Sequence, residues 1–194
     1  MNTHSKIDAR IDLDGWLTQV ETSKSWFEHR VLPLSIEQLR WRPDPGNWSV
    51  AECLDHLNLM IDLCLPKVDE AIGRGRQSAE TTACPDCDRA EIEALALLEP
   101  PVKVAGLASW ATMPRAAIDP DCLVERFHCL RDRYADAVRQ SGGIHLMRVR
   151  IAEPVYPRIH TLGGTLALIA AHDRRHLWQA ERVIRSQRFP RVAF

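Results

Sequence analysis

The chain has 194 residues, a length that suits one domain with a buried core. Hydrophobic residues make up 45% of the sequence and charged residues 26%, which is typical of a globular protein and excludes a disordered or fibrous one. The formal net charge of -1 provides no basic surface, so the composition argues against nucleic acid and anionic membranes as partners.

The N-terminus predicts a cytoplasmic protein. Residues 1–16 alternate charged and apolar side chains and lack the apolar segment of a signal peptide. No apolar run elsewhere approaches the roughly 20 residues that span a bilayer. We therefore expect the six cysteines to be reduced thiols, as is usual in the cytosol.

Helical periodicity begins near the N-terminus. Residues 8–31 form the first predicted helix, which ends before the break at Pro33. A short segment at residues 35–39 then leads into residues 41–47, where prolines, Gly and Asn predict a turn-rich loop.

The second long helix has a clear start. Ser49 is followed three residues later by Glu52, a capping box in which each side chain bonds the other's free backbone N–H. The periodicity continues to about residue 72, with Pro66 as a candidate kink. Three polar residues are predicted to mark its solvent-exposed side: Asp55, Asn58 and Asp62.

The second half of the chain contains a long connection and two more long helices. Residues 73–120 form the connection, with a short helix predicted at residues 89–98. The third and fourth long helices are predicted at residues 121–140 and 165–186. A long connection is typical of a bundle with a crossover link, so we predict an all-α four-helix bundle that forms a single domain over residues 1–194.

Three histidines form a candidate metal site. His172 and His176 lie one turn apart in the middle of the apolar face of the fourth helix, a spacing that helical zinc motifs use. Core histidines that bond neighbouring groups have the same spacing, so the pair alone leaves both interpretations open. His56, at the border of the second helix's apolar face, would add a third imidazole. Three His ligands leave the open coordination position that a catalytic metal needs.

Other residues carry weaker hypotheses. Gln179 lies one turn beyond His176, where it either orients a ligand through a hydrogen bond or is a buried amide bonded to another helix. Arg175 flanks the same face and either reaches an anionic substrate or lies on a solvated surface. Cys84 and Cys87 could form half a zinc site, a redox pair or part of an exposed loop, and the lack of a second Cys-x-x-Cys favours the loop.

Two stretches carry a family resemblance. Residues 48–57 read WSVAECLDHL, and residues 171–179 read AHDRRHLWQ. Together with the Leu-Glu-Pro-Pro element at residues 98–101, they resemble the DinB-like superfamily, in the branch whose final helix reads His-x-x-Arg-His-x-x-Gln. The resemblance spans nearly the whole chain, but the Cys84–Cys87 loop lies outside the pattern.

The resemblance implies a bundle with up-down-down-up topology and one divalent metal ion on His56, His172 and His176. Zinc or nickel is the first expectation, although imidazole also suits iron and copper. Some relatives are S-transferases or isomerases that depend on a low-molecular-weight thiol, and others are hydrolases; DNA binding is not implied. We therefore predict a metal-dependent transferase or hydrolase that acts on a small molecule, with catalytic residues beyond the ligands unknown. The alternative is a non-catalytic bundle that the metal only braces.

We predict a homodimer formed by helix packing. Twofold dimers are the commonest symmetric oligomers, and the resemblance implies the same assembly. Light scattering at micromolar concentration should give twice the mass of one chain. A clean monomer mass under those conditions would reject the dimer.

Overall fold

The computed structural model describes residues 12–77, 85–101, 112–115 and 117–191, and of residues 85–89 it describes the backbone alone. These residues form six helices: α1 Leu13–Arg30, α2 Ile36–Arg40, α3 Val50–Gln77, α4 Pro85–Ala96, α5 Pro120–Gln140 and α6 Leu162–Ile184. Within the described ranges an isolated bridge joins Arg150 to Thr161 and no strand is present, which confirms the predicted all-α class. No helix among these residues has the length and apolar character that crossing a membrane requires.

The capping box at the start of α3 is present as predicted. The backbone N–H of Ser49 donates to Glu52 Oε2 at 2.8 Å, and the backbone N–H of Glu52 donates to Ser49 Oγ at 3.2 Å. The helix continues through Pro66 and past residue 72. Leu65 and Val68, on either side of the proline, are buried in the core. Their burial offsets the hydrogen bond that proline cannot donate.

α6 begins at Leu162, earlier than the predicted start near residue 165, because Thr161 caps it. Thr161 Oγ1 accepts from the backbone N–H of Gly164 at 2.9 Å. The buried carboxylate of Glu91 on α4 accepts from the backbone N–H and from the hydroxyl of Thr161, both at 2.7 Å. Negative charge is favourable at a helix N-terminus, so Glu91 holds α4 against the start of α6.

The four long helices pack against one another around two hydrophobic clusters. α3 and α1 each contact both α5 and α6. The first cluster joins the early parts of α1 and α6 to the later parts of α3 and α5, with members such as Trp16, Val68, Tyr134 and Leu166. The second cluster joins the opposite parts of the same helices, with members such as Phe27, Leu54, Phe127 and Leu177. The middle of the helices, between the two clusters, is where buried polar side chains lie.

A buried ion pair occupies this polar layer. Arg131 on α5, only 1% exposed, donates from Nη2 to the carboxylate of Asp173 on α6. Ser23 on α1 donates to the same carboxylate at 2.5 Å, and Arg131 Nη1 donates to Asn58 Oδ1 on α3 at 3.3 Å. The guanidinium also lies over the Phe127 ring, 3.3 Å from its centroid. Burial lowers the pKa of Arg131, and the negative charge of Asp173 opposes that shift.

The prediction that Asp55, Asn58 and Asp62 lie on the solvent-exposed side of α3 is wrong for two of the three residues. Asp55 and Asn58 are fully buried, and only Asp62 remains partly exposed. Each buried side chain bonds an arginine that lies far away in sequence, Arg115 for Asp55 and Arg131 for Asn58. These partners supply the hydrogen bonds that a buried polar group requires.

We expect Arg131→Met to lower the free energy of unfolding by about 3–5 kcal/mol, because it leaves the buried Asp173 carboxylate without its charged partner. Urea denaturation followed by circular dichroism measures the change. Arg133→Met is the matched control, since Arg133 is on the same helix with a side chain 48% exposed and 3.9 Å from Asp62. It should cost about 1 kcal/mol or less. Equal losses in the two variants would contradict a special role for the buried pair.

Candidate metal centre

The three predicted histidines come together where α3 faces α6. His56 extends from the early part of α3, while His172 and His176 extend from successive turns of α6, and all three side chains are buried. Their candidate ligand nitrogens all lie within 4.8 Å of one another. The three pairs of ring centroids are separated by 4.5–4.8 Å. The packing of two helices therefore places three imidazoles around one point.

Hydrogen bonds orient two of the three rings. His56 Nδ1 lies 2.5 Å from the carbonyl oxygen of Thr112, and His176 Nδ1 lies 2.9 Å from Oε1 of Gln179. A carbonyl oxygen only accepts, so each Nδ1 carries the proton and each Nε2 keeps a free lone pair. His56 Nε2 lies 3.1 Å from Nε2 of His172. Two rings are thus held in the tautomer that binds a metal through Nε2.

The hydrogen bonding of His172 differs from that of the other two histidines. Its Nδ1 is buried and has no hydrogen-bond partner among the described residues, which is uncommon in a folded core. The 3.1 Å between the Nε2 atoms of His56 and His172 is a hydrogen-bond distance, and it is also close to the roughly 3.3 Å that separates two nitrogens on a tetrahedral ion with Zn–N bonds of about 2.0–2.1 Å. Three imidazoles also suit zinc, nickel, iron or copper better than magnesium or calcium. The donor set therefore fits a divalent transition-metal ion.

Burial keeps the three imidazoles neutral. Burial lowers the pKa of His56. It lowers the pKa of His176 to about 3, and electrostatic repulsion from a protonated His56 and from Arg175 adds to this shift. Burial and the two neighbouring imidazoles hold the pKa of His172 well below its ordinary value. Neutral imidazole is the form that ligates a metal. Arg175, which is partly buried, lowers the pKa of all three rings, so its positive charge lies near the site.

Trp48 forms part of the site and was not predicted to do so. Its ring centroid lies 4.8 Å from that of His56 and 5.7 Å from that of His176, and its plane is inclined by 29° to the His176 ring. Its position just before the capping residue Ser49 predicts contact with the first turn of α3. That signal does not extend to a side chain on α6, which only the packing of the helices brings close.

The structure leaves the predicted roles of Gln179, Cys84 and Cys87 untested. Gln179 lies within hydrogen-bond distance of His176, and its role in supporting a metal ligand stays a prediction. Cys84 lies outside the described residues, and for Cys87 the structure describes only the backbone, within α4. The three hypotheses for this pair therefore stay untested.

Comparison with known proteins identifies a family for most of the chain. The family model described as the DinB superfamily matches residues 19–180. The matched region includes all of α3 and α5, most of α6, and the three histidines with Gln179. No curated protein and no solved structure matches the chain.

Protein purified without an affinity tag and reconstituted with zinc or nickel should contain about one metal ion per chain, as a three-His site implies. His172→Ala should abolish binding, because it leaves only two of the three imidazole ligands. His145→Ala is the control, since His145 is exposed and does not belong to the three-His group. Elemental analysis after gel filtration measures the stoichiometry. Near-zero metal in the wild type after both reconstitutions would overturn the assignment.

Proposed function

The chain belongs to the DinB superfamily, and on that premise we propose that it is a metal-dependent enzyme, a thiol S-transferase or a hydrolase acting on a small molecule. The observation that carries the proposal is the group of three buried imidazoles, His56, His172 and His176. Three protein ligands leave a coordination position for water or substrate, whereas a structural site usually has four. We propose zinc or nickel as the metal and a low-molecular-weight thiol as co-substrate for the transferase.

The side chains around the site support this chemistry. A bound divalent ion supplies Lewis acidity, which lowers the pKa of a coordinated water or thiol. The chain supplies three neutral ligands, so the full positive charge of the site is retained. Arg175 adds positive charge nearby and favours an anionic substrate. Trp48 covers one side of His56 and His176 and helps to exclude water.

We also propose that the four long helices have up-down-down-up topology with a crossover connection between α3 and α5. The membership of the two clusters supports this order. The early parts of α1 and α6 share a cluster with the later parts of α3 and α5, and the second cluster has the complementary composition. α1 and α6 would then run in one direction and α3 and α5 in the other.

A metal-braced bundle without catalytic activity is the second candidate. The observation in its favour is that the ligands come from two helices, α3 and α6, in the middle of the core. An ion there would crosslink these helices and stabilise the fold. The two candidates differ in whether small molecules reach the open coordination position.

Adding cysteine or glutathione to the cobalt-substituted protein should produce a sulfur-to-metal charge-transfer band, because an open position accepts a thiolate. Gln179→Ala should weaken that response by roughly 10- to 100-fold if the amide supports His176, as is typical of groups that orient a ligand. Absorption titration measures both effects. His172→Ala, which lacks a complete ligand set, is the control that should show no band.

The second candidate, a metal-braced bundle without catalytic activity, predicts a different result. The cobalt spectrum would not change when thiols are added, and a chelator would lower the melting temperature sharply. This pair of results would reject the enzymatic proposal in favour of the structural one.

A further inference from the structure

A chain of hydrogen bonds runs from His56 to a segment outside the helices. His56 Nδ1 donates to the carbonyl oxygen of Thr112 at 2.5 Å, and Thr112 is itself buried. A backbone carbonyl has no freedom to rotate independently of its segment. The orientation of this ligand therefore depends on where residues 112–115 lie.

Asp55, the residue before His56, holds that same segment. Its carboxylate is fully buried and accepts from the backbone N–H of Arg115 at 2.8 Å and from the guanidinium Nε of Arg115 at 3.0 Å. Arg115 Nη2 donates to the same carboxylate, and these contacts raise the pKa of Arg115. One carboxylate thus binds both the backbone and the side chain of a residue three positions beyond Thr112.

We propose that Asp55 is a positioning residue for the metal centre. By anchoring Arg115, it holds the Thr112 carbonyl against His56 and keeps His56 Nε2 directed at the other two imidazoles. Asp55 and His56 are adjacent on α3, about 100° apart around the helix, and each bonds a residue of the 112–115 segment. The inference rests on the proposed metal site but not on the reaction.

The position of residues 112–115 and the binding of metal affect each other reciprocally. If the held segment strengthens metal binding by a given factor, bound metal stabilises the held segment by the same factor. Groups that orient a metal ligand typically change affinity by roughly 10- to 100-fold. Metal binding should therefore reduce the opening of residues 112–115 by a similar factor.

The first test compares two Asp→Asn variants on α3. Asp55→Asn should lower the affinity for zinc by roughly 10- to 100-fold, measured by competition with a chelator of known affinity. Asp62→Asn is the matched control, because Asp62 also pairs with an arginine, Arg126, but its side chain is 43% exposed and its ion pair is with a residue outside the 112–115 segment. Its affinity should stay within about twofold of the wild type. Melting temperatures of the metal-free proteins show whether both variants are folded.

Arg115→Gln provides a variant with less risk to folding, since the Arg115 side chain is 42% exposed. It should lower zinc affinity by a smaller factor than Asp55→Asn, because the backbone N–H at position 115 still donates to the carboxylate. Folded Asp55→Asn and Arg115→Gln proteins that bind zinc like the wild type would overturn the proposal.

The second test uses only the wild type. Hydrogen exchange of the Arg115 amide should slow by roughly 10- to 100-fold when zinc is bound, following the reciprocity of the coupling. Exchange that is the same with and without zinc would overturn the proposal. If the wild type binds zinc but cobalt shows no thiol response, the enzymatic function fails and the role of Asp55 stands. If the wild type binds no metal, both fail.

Discussion

The ion pair between Arg131 and Asp173 is the interaction on which the rest of the arrangement depends. It lies between the two hydrophobic clusters and, with Ser23 and Asn58, joins all four long helices. A buried ion pair adds little net stability compared with an apolar pair of the same shape, so its main effect is on geometry. Asp173 directly follows His172. Fixing Asp173 on Arg131 sets the rotation of α6 and so directs the neighbouring imidazole towards α3.

Ion pairs also explain why, among the described residues, no carboxylate joins the three histidines although two carboxylates lie beside them in sequence. Asp55 precedes His56 and Asp173 follows His172, yet each carboxylate is directed at an arginine. The arginines neutralise the two acidic groups and keep them out of the histidine cluster. The donors that the described residues bring together are therefore three neutral imidazoles, and Arg175 adds positive charge near them. This separation of charge is consistent with the proposed Lewis-acid chemistry on anionic groups.

Much of the fold and the histidine group could be predicted because both depend on local patterns. The capping box at Ser49 fixes the start of α3, and the i, i+4 spacing of His172 and His176 sets their common direction. Hydropathy places Asp55 and Asn58 on the solvent-exposed side of α3, because it treats a polar residue as exposed, whereas both are buried. Their partners lie far along the chain, where periodicity carries no information. Periodicity is equally silent about the contact of Trp48 with His176 on α6, because tertiary packing creates it.

The division of the site between helices and a connecting segment has a consequence for substitutions. The metal ligands lie on α3 and α6, within the core, while the carbonyl of Thr112 and the anchor of Arg115 belong to the connection between α4 and α5. Substitutions in a core helix disturb packing, whereas a connection tolerates exchange and changes of length. A substitution that displaces Thr112 or Arg115 would therefore change how firmly the metal is held while leaving the packing of the core helices intact.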